Sequence, residues 1–338
     1  MKVVISAGGT GGHIYPALAI IDKIKEKEPN SEFLYIGTTN RMEKDIIPEK
    51  GIPYFGINVS GLSRKLTFKN FKSIANFIKG ISKCKKEIKK FNPDIVIGAG
   101  GYVTAPVIIA AKKSGYKTLV HEQNSILGLS NKILLKYTDT LCTSFETMKV
   151  DNVKCVYTGN PASESIIYKK PYDKKEFGLS KSKKLVLIVM GSLGSSTVNE
   201  VLKGTLNKFD KKYEVVIVTG KNYYEEFNKL ERGKNVFVFP YIDDLSRLMK
   251  VTDVLVTRAG ATTLSEIMVT KTPSILVPSP YVTENHQFKN AMYLVNKINE
   301  LINDPNKCLD IKDNLENIGK KNSATLIYNE IKELTNDK

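Results

Sequence analysis

Cysteine is sparse in this chain and follows no pattern. Cys84, Cys142, Cys155 and Cys308 are scattered through 338 residues without a C-x-x-C pair. That argues against a zinc knuckle or a disulfide framework and fits a reducing compartment. Long apolar runs are also missing. Ala105–Ala111 is among the longest uninterrupted stretches, far short of the ~20 residues of a membrane-spanning helix. The N-terminus enters an apolar strand pattern at once, without a charged start, an apolar stretch and a small-residue cleavage site, so no export signal is expected. Histidine occurs only three times, as His13, His121 and His286. The dinucleotide fingerprint G-x-G-x-x-G is not met at the first glycine turn, because Ile14 stands where a glycine is wanted; this lowers a nicotinamide reading.

What is present points to an α/β protein of two domains, the default for this length. Hydrophobic content of 41% and charged content of 25% are ordinary for a globular chain. Net charge is +16 and uneven: residues 1–161 hold 24 Lys+Arg against 13 Asp+Glu, whereas residues 162–338 hold 27 against 22. A basic face meets nucleic acid, anionic lipid or a phosphorylated substrate. An AT-rich genome that favours lysine codons accounts for the lysines scattered elsewhere.

Short apolar runs bounded by turns alternate with helical periods. Strands are expected at Val3–Ala7, Phe33–Gly37, Tyr54–Ile57, Ile95–Gly98, Thr118–His121, Thr140–Thr143 and Cys155–Tyr157. Gly159-Asn160-Pro161 breaks the pattern, which restarts at Leu185–Met190, Tyr213–Thr219, Val236–Phe239, Asp253–Thr257 and Ser274–Val277. Such alternation implies parallel sheets covered on both faces, with ligands beyond the carboxyl ends of the strands. Two similar halves, each with glycine turns at strand ends, imply a cleft between them.

The first turn, Gly8-Gly9-Thr10-Gly11-Gly12-His13, lies between a strand and a helix. Its glycines allow a sharp bend and close approach of a ligand to the main chain, and the helix start offers free N–H groups to an anion. His13 adds one titratable group at its mouth. Further glycine turns follow at Gly98–Tyr102 and Gly191–Ser196. His121-Glu122-Gln123-Asn124 follows a strand; four polar side chains in succession read as a solvated loop or a ligand-facing one. His121 itself reads as a strand-end residue that orients its loop. Glu122 and Asn124 are placed to hold sugar hydroxyls or to position a base.

In Arg258–Glu266, Glu266 falls about two helical turns into the next element. It serves either as an acceptor for two vicinal hydroxyls, as on a ribose, or as an acid complementing the helix dipole. Asn285–Asn290 adds amides suited to sugar hydroxyls or to a helix cap. No Asp-x-Asp occurs. A leaving diphosphate would therefore be met by helix N-termini, backbone N–H groups and Ser192.

Between Arg64 and Lys90 there are ten positive charges and one negative. Phe71, Ile74, Phe77, Ile78, Ile81 and Ile88 recur at helical spacing, with a lysine stripe of Lys72, Lys79, Lys83, Lys86 and Lys90. A basic amphipathic helix lies readily on an anionic membrane; the same pattern also describes a core-facing helix with a solvated lysine face. Without interleaved exposed aromatics or a nucleic-acid fold signature, nucleic acid is the weaker partner.

Seven motifs occur in order: GGTGGH at Gly8–His13, GGYV at Gly100–Val103, HEQN at His121–Asn124, TGNP at Thr158–Pro161, G-S-x-G at Gly191–Gly194, RAGATTLSE at Arg258–Glu266 and NHQxxNA at Asn285–Ala291. Over nearly its whole length the chain resembles the MurG family of bacterial peptidoglycan glycosyltransferases. The resemblance implies the GT-B fold, two Rossmann-like domains facing across a cleft. Residues 1–161 with about 323–338 would be the acceptor and membrane-docking domain, and residues 162–322 the UDP-GlcNAc domain. It implies inverting transfer of N-acetylglucosamine from UDP-GlcNAc to the C4 hydroxyl of the muramoyl sugar of undecaprenyl-linked lipid I, giving lipid II and UDP.

By the same resemblance His13 is the general base. Thr10, Gly11, Gly12, Tyr102, Glu122 and Asn124 match acceptor-side or cleft positions. Ser192, Gly194, Ile242, Arg258, Glu266, Gln287 and Asn290 match donor positions: Ser192 a phosphate, Ile242 the uracil through its backbone, Glu266 the ribose, Gln287 and Asn290 the transferred sugar. Phe71, Ile74, Lys79, Lys83 and Lys86 would face the membrane. No cofactor or metal is required by the pattern, and the implied partners are the anionic cytoplasmic membrane surface and the proteins of cell-wall synthesis and division. Three departures stand out. Leu193 replaces a frequent glutamine. Ala162-Ser163-Glu164 follows Pro161 where an arginine is frequent, so the phosphate clamp lacks it and Arg258 is the candidate substitute. The stretch after Val295 is short, which removes an expected edge element from the second sheet.

Overall fold

Every apolar run expected to form a strand does so. The computed structural model describes residues 1–60, 68–146, 148–190, 196–277 and 299–336. The strands are β1 (Lys2–Ser6), β2 (Glu32–Thr38), β3 (Tyr54–Ile57), β4 (Ile95–Gly98), β5 (Lys117–Glu122), β6 (Thr140–Thr143), β7 (Lys154–Tyr157), β8 (Lys184–Val189), β9 (Tyr213–Val218), β10 (Val236–Phe239), β11 (Val254–Thr257) and β12 (Ser274–Leu276). In chain order the helices are α1 (Gly11–Lys27), α2 (Glu43–Glu49), α3 (Phe68–Phe91), α4 (Thr104–Lys112), α5 (Leu129–Leu134), α6 (Glu164–Tyr168), α7 (Ser196–Lys203), α8 (Lys221–Asn228), α9 (Leu245–Met249), α10 (Ala261–Thr270), α11 (Pro305–Ile318) and α12 (Ser323–Asn336). The chain divides into a first unit, Met1–Ser165 with Lys320–Lys338, and a second, Ile166–Gly319.

The first unit holds a parallel sheet in the order β3-β2-β1-β4-β5-β6-β7. Val3 pairs with Phe33 on one side and Ile95 on the other, so the order reverses beside β1. Ligands of such sheets collect at this reversal. Alternate residues feed two cores. Val3, Ile5 and Ile97 pack with α1 and α12; Val4, Val96 and Val120 pack with α3, α4 and α5. Because α4 is buried along almost its whole length, its sequence reads as an unbroken apolar run.

Helix α12 is tied down by polar contacts as well. Glu164, buried, accepts from the Thr325 N–H at 2.8 Å and the Thr325 hydroxyl at 2.7 Å, and pairs with Lys23 at 2.9 Å. A carboxylate capping a helix N-terminus is stabilising. Glu164, in the segment where the resemblance implies an arginine, thus anchors the last helix to the first unit.

The second unit repeats the plan with a parallel sheet ordered β10-β9-β8-β11-β12. Val186 and Ile188 face one core and Leu187 and Val189 the other. Its entry segment is bolted to α9. Lys250 Nζ donates to the carbonyls of Ile167 at 3.0 Å and Lys169 at 2.6 Å, and Arg247 Nε donates to the Lys170 carbonyl at 2.7 Å. Among the described residues no helix is long and apolar enough to cross a membrane.

Candidate functional sites in the two units

In the first unit the turn after β1 is gripped from two sides. The Gly8 N–H donates to the Gly100 carbonyl at 3.2 Å. The Gly9 N–H donates to Glu43 Oε2 at 3.1 Å. Glu43 is fully buried, and its Oε1 accepts from the Thr38 N–H at 3.0 Å and the Thr38 hydroxyl at 2.7 Å. The glycine turn after β4 closes against the first: a Cβ on Gly101 would meet the Gly8 carbonyl oxygen at 2.3 Å, and one on Gly100 would meet the His13 ring at 2.4 Å. Both residues also hold positive φ, so glycine is required twice over.

His13 sits half-buried in the first turn of α1. Its Nδ1 lies 3.1 Å from the Gly8 carbonyl oxygen. A carbonyl can only accept, so Nδ1 carries the proton and Nε2 keeps its lone pair. Burial lowers the imidazole pKa below its ordinary value, against the Gly8 carbonyl and the charges of Glu122 and Glu43. A neutral imidazole with a free Nε2 is competent as a base near neutrality. Thr10 is exposed at the helix start, and Gly11 and Gly12 are half-buried beside it. Pro16 lacks an N–H, which releases the Gly12 carbonyl from the helix ladder. Tyr102 is half-buried, its hydroxyl accepting from Arg41 Nε at 3.2 Å.

The HEQN segment is neither a solvated loop nor a uniformly ligand-facing one. His121, Glu122 and Gln123 are buried, and only Asn124 is exposed. The physical reason is that the protein supplies partners. His121 Nε2 lies 3.1 Å from the Gly159 carbonyl, and burial pushes its pKa down to about 4. Gln123 Nε2 donates to the Ala99 carbonyl at 2.6 Å. Glu122 Oε1 accepts from the Asn124 N–H and side-chain amide, both at 3.0 Å, and its Oε2 accepts from the Gly128 N–H at 3.0 Å and Asn131 Nδ2 at 2.7 Å. Glu122 therefore organises its own loop. Just beyond, the loop displays Ile126 and Leu129 with 73% and 74% of their surface exposed, followed by exposed Ile133. Aliphatic residues at helical spacing read as core in a sequence, so this ledge was missed.

In the second unit β11 leads to Arg258, half-buried, whose Nη1 lies 3.5 Å from the Val277 carbonyl. Glu266 is half-buried on α10 and has no hydrogen-bond partner for its carboxylate among the described residues. Desolvation pushes its pKa up to about 7, with Lys169 opposing and Asp244 reinforcing the shift. Lys169 and Asp244 pair with each other at 2.8 Å. Ile242 is buried in the core beneath this region.

Ser192, Gly194, Gln287, Asn290 and the Phe71 side chain lie outside the described residues, as do Leu193 and the stretch through 298. On α3 the apolar stripe divides: Cys84 and Ile88 are buried, whereas Ile74 and Ile78 face out with Lys79, Lys83 and Lys86. Among the described residues no cluster of three or more His, Cys, Asp or Glu is arranged to hold a metal.

Residues 3–143 match the glycosyltransferase family 28 N-terminal domain and residues 185–335 its C-terminal domain. A Bacillus cytotoxicus protein named UDP-N-acetylglucosamine--N-acetylmuramyl-(pentapeptide) pyrophosphoryl-undecaprenol N-acetylglucosamine transferase is 46% identical over 305 residues, covering 88% of this chain and 84% of its own. A Bacillus licheniformis protein of the same name is 41% identical, with 99% of each chain covered. In fold, the crystal structure of Acinetobacter baumannii MurG superposes with a TM-score of 0.77 at 24% identity, covering 98% of this chain and 99% of that one.

Proposed function

The chain belongs to glycosyltransferase family 28, with the N-acetylglucosamine transferases of its Bacillus relatives, and from that premise we propose how its residues carry out the transfer. The fold is GT-B. The activity is transfer of N-acetylglucosamine from UDP-GlcNAc to lipid I, giving lipid II and UDP. The acceptor hydroxyl is the C4 hydroxyl of the muramoyl sugar, and transfer inverts the anomeric centre.

His13 Nε2 takes the proton of that hydroxyl as its oxygen attacks the anomeric carbon and the bond to the diphosphate breaks. The observation that carries this role is the Nδ1 contact to the Gly8 carbonyl, which leaves Nε2 as the basic atom. Lowering of the imidazole pKa keeps it neutral at the working pH. Thr10, Gly11, Gly12, Tyr102 and Asn124 surround the acceptor, and Glu122 holds the loop that presents Asn124. Glu266 accepts from the ribose hydroxyls, Ile242 meets the uracil through its backbone, and Arg258 with Ser192 and Gly194 meets the diphosphate. Gln287 and Asn290 contact the transferred sugar. UDP-GlcNAc enters as substrate; no resident cofactor is invoked, and comparison of turnover in a chelator with turnover in magnesium measures any metal stimulation.

The first unit docks on the anionic cytoplasmic face of the membrane, where the lipid-linked acceptor resides. Support comes from exposed Ile74, Ile78, Ile126, Leu129 and Ile133 beside exposed Lys79, Lys83, Lys86 and Lys132. Both α3 and α5 pack against α4, so these residues belong to one side of the sheet. Proteins of cell-wall synthesis and division would meet the enzyme at that membrane.

The deciding experiment is a radiolabelled transfer assay with UDP-GlcNAc and a lipid I analogue. Acceptor-dependent release of UDP and a labelled disaccharide lipid are expected. Conversion of UDP-GlcNAc without acceptor, or no labelled lipid, would overturn the assignment.

A further inference from the structure

We propose that Glu43 is a positioning residue for His13, acting through the single peptide group that joins Gly8 to Gly9. This rests on the reading of His13 as the base. The Gly9 N–H that donates to Glu43 and the Gly8 carbonyl that accepts from His13 belong to the same planar amide. Fixing one end of a rigid plane fixes the other. A Gly-Gly amide has little steric resistance to rotating as a unit, since neither residue carries a Cβ and Gly9 already sits at φ +94°. Rotated by half a turn, this amide would present an N–H to His13 Nδ1 and force the proton onto Nε2, the wrong tautomer for a base.

The grip on the plane is strong for physical reasons. Glu43 is fully buried, and its other oxygen is held by both Thr38 donors. Tyr54 extends the anchor by donating to the Thr38 carbonyl at 2.5 Å. A hydrogen bond to a charged carboxylate is stronger than one between neutral groups, the more so when buried. Glu43 also fills the space a Cβ on Gly8 would need, approaching that position to 2.4 Å. The carboxylate and the glycine are therefore matched in shape as well as in hydrogen bonding.

The test is Glu43→Gln with Thr38→Val as its control. In the Gln variant the amide cannot accept from Gly9 while also accepting from Thr38 through its single oxygen. We expect kcat to fall about a hundredfold, the usual cost of a misplaced catalytic group, with KM for UDP-GlcNAc unchanged. Nitrogen NMR of His13 should change from the Nδ1–H tautomer in the native protein to a mixture containing Nε2–H. Thr38→Val disturbs the same buried cluster but leaves the Gly9 contact, and should keep the Nδ1–H tautomer. Equal tautomer populations in native protein and Gln variant would overturn the proposal, as would the same change in both variants. If the Gln variant fails to fold, hydrogen exchange on the native protein decides: a protected Gly9 amide supports the pin, and a freely exchanging one overturns it. The tautomer is read without turnover. Loss of the His13 base role, shown by full transfer in His13→Ala, would thus be distinguished from loss of the pin.

Discussion

The two units share a parallel-sheet plan but treat their site carboxylates in opposite ways. In the first, Glu43 and Glu122 are buried and engaged on both oxygens by groups of the protein itself. In the second, Glu266 is desolvated and its carboxylate has no hydrogen-bond partner among the described residues. The difference separates two jobs. Satisfied buried polar groups fix a geometry, as a turn that aims a base requires. A desolvated carboxylate with no partner among the described residues is suited to donors from outside, such as the vicinal hydroxyls of the ribose proposed for it. A carboxylate in a motif is therefore not by itself a ligand-binding group; its partners decide.

The largest effect that would sharpen this contrast is expected from His13→Ala. Loss of a general base lowers turnover by about 10²–10⁴-fold. UDP binding, assigned to the second unit, should remain at its native level. Coupled loss of UDP affinity would break the division of labour. Next comes Lys79, Lys83 and Lys86 changed together to Glu. At about 1 kcal/mol per basic residue near an anionic surface, binding to anionic vesicles should fall at least a hundredfold, while turnover of a soluble acceptor is retained. Native vesicle binding would remove α3 from the membrane contact. Glu266→Ala follows, with KM for UDP-GlcNAc raised about 10–100-fold, the range of one hydrogen bond to a charged group. An unchanged KM would show that this carboxylate is not the ribose ligand.

The contrast also marks what the sequence made legible. The strands were readable because parallel strands buried on both faces must be continuous Val/Ile runs, as in Ile95-Val96-Ile97. The two glycine turns of the first unit were readable because close approach and positive φ exclude other residues at Gly100 and Gly101, whereas the turn expected at Gly191–Ser196 lies largely outside the described residues. What escaped were contacts between distant positions. Glu43 reaches Gly9 across 34 residues and Glu164 reaches Thr325 across 161. Each looks in sequence like an ordinary surface acid, and nothing in its neighbours announces a buried partner. Glu122 was located but its surroundings were not, because two of its four donors come from Gly128 and Asn131, beyond the motif.

The smallest net effect is expected from mild acid, because the two units should respond with opposite signs. In the first unit the folded state holds His121 at a pKa of about 4, below the ordinary 6.5. As pH falls through that interval, the unfolded chain binds a proton that the folded unit refuses. The stability present above pH 6.5 is then lost progressively, by on the order of 3 kcal/mol for a shift of this size. His13, also lowered, acts in the same direction. In the second unit Glu266 is raised to about 7 from 4.5, so between those values the folded state binds the extra proton and is stabilised as pH falls. Whole-chain melting should therefore move less than either unit alone. Hydrogen exchange resolved by peptide, compared between neutral pH and about pH 5 after correction for intrinsic rates, should show β5 loosening while α10 tightens. His121→Asn should reduce the first change to the part that His13 contributes, and Glu266→Gln should abolish the second. Parallel loosening of both units would mean that the engaged and unengaged groups do not govern their separate stabilities.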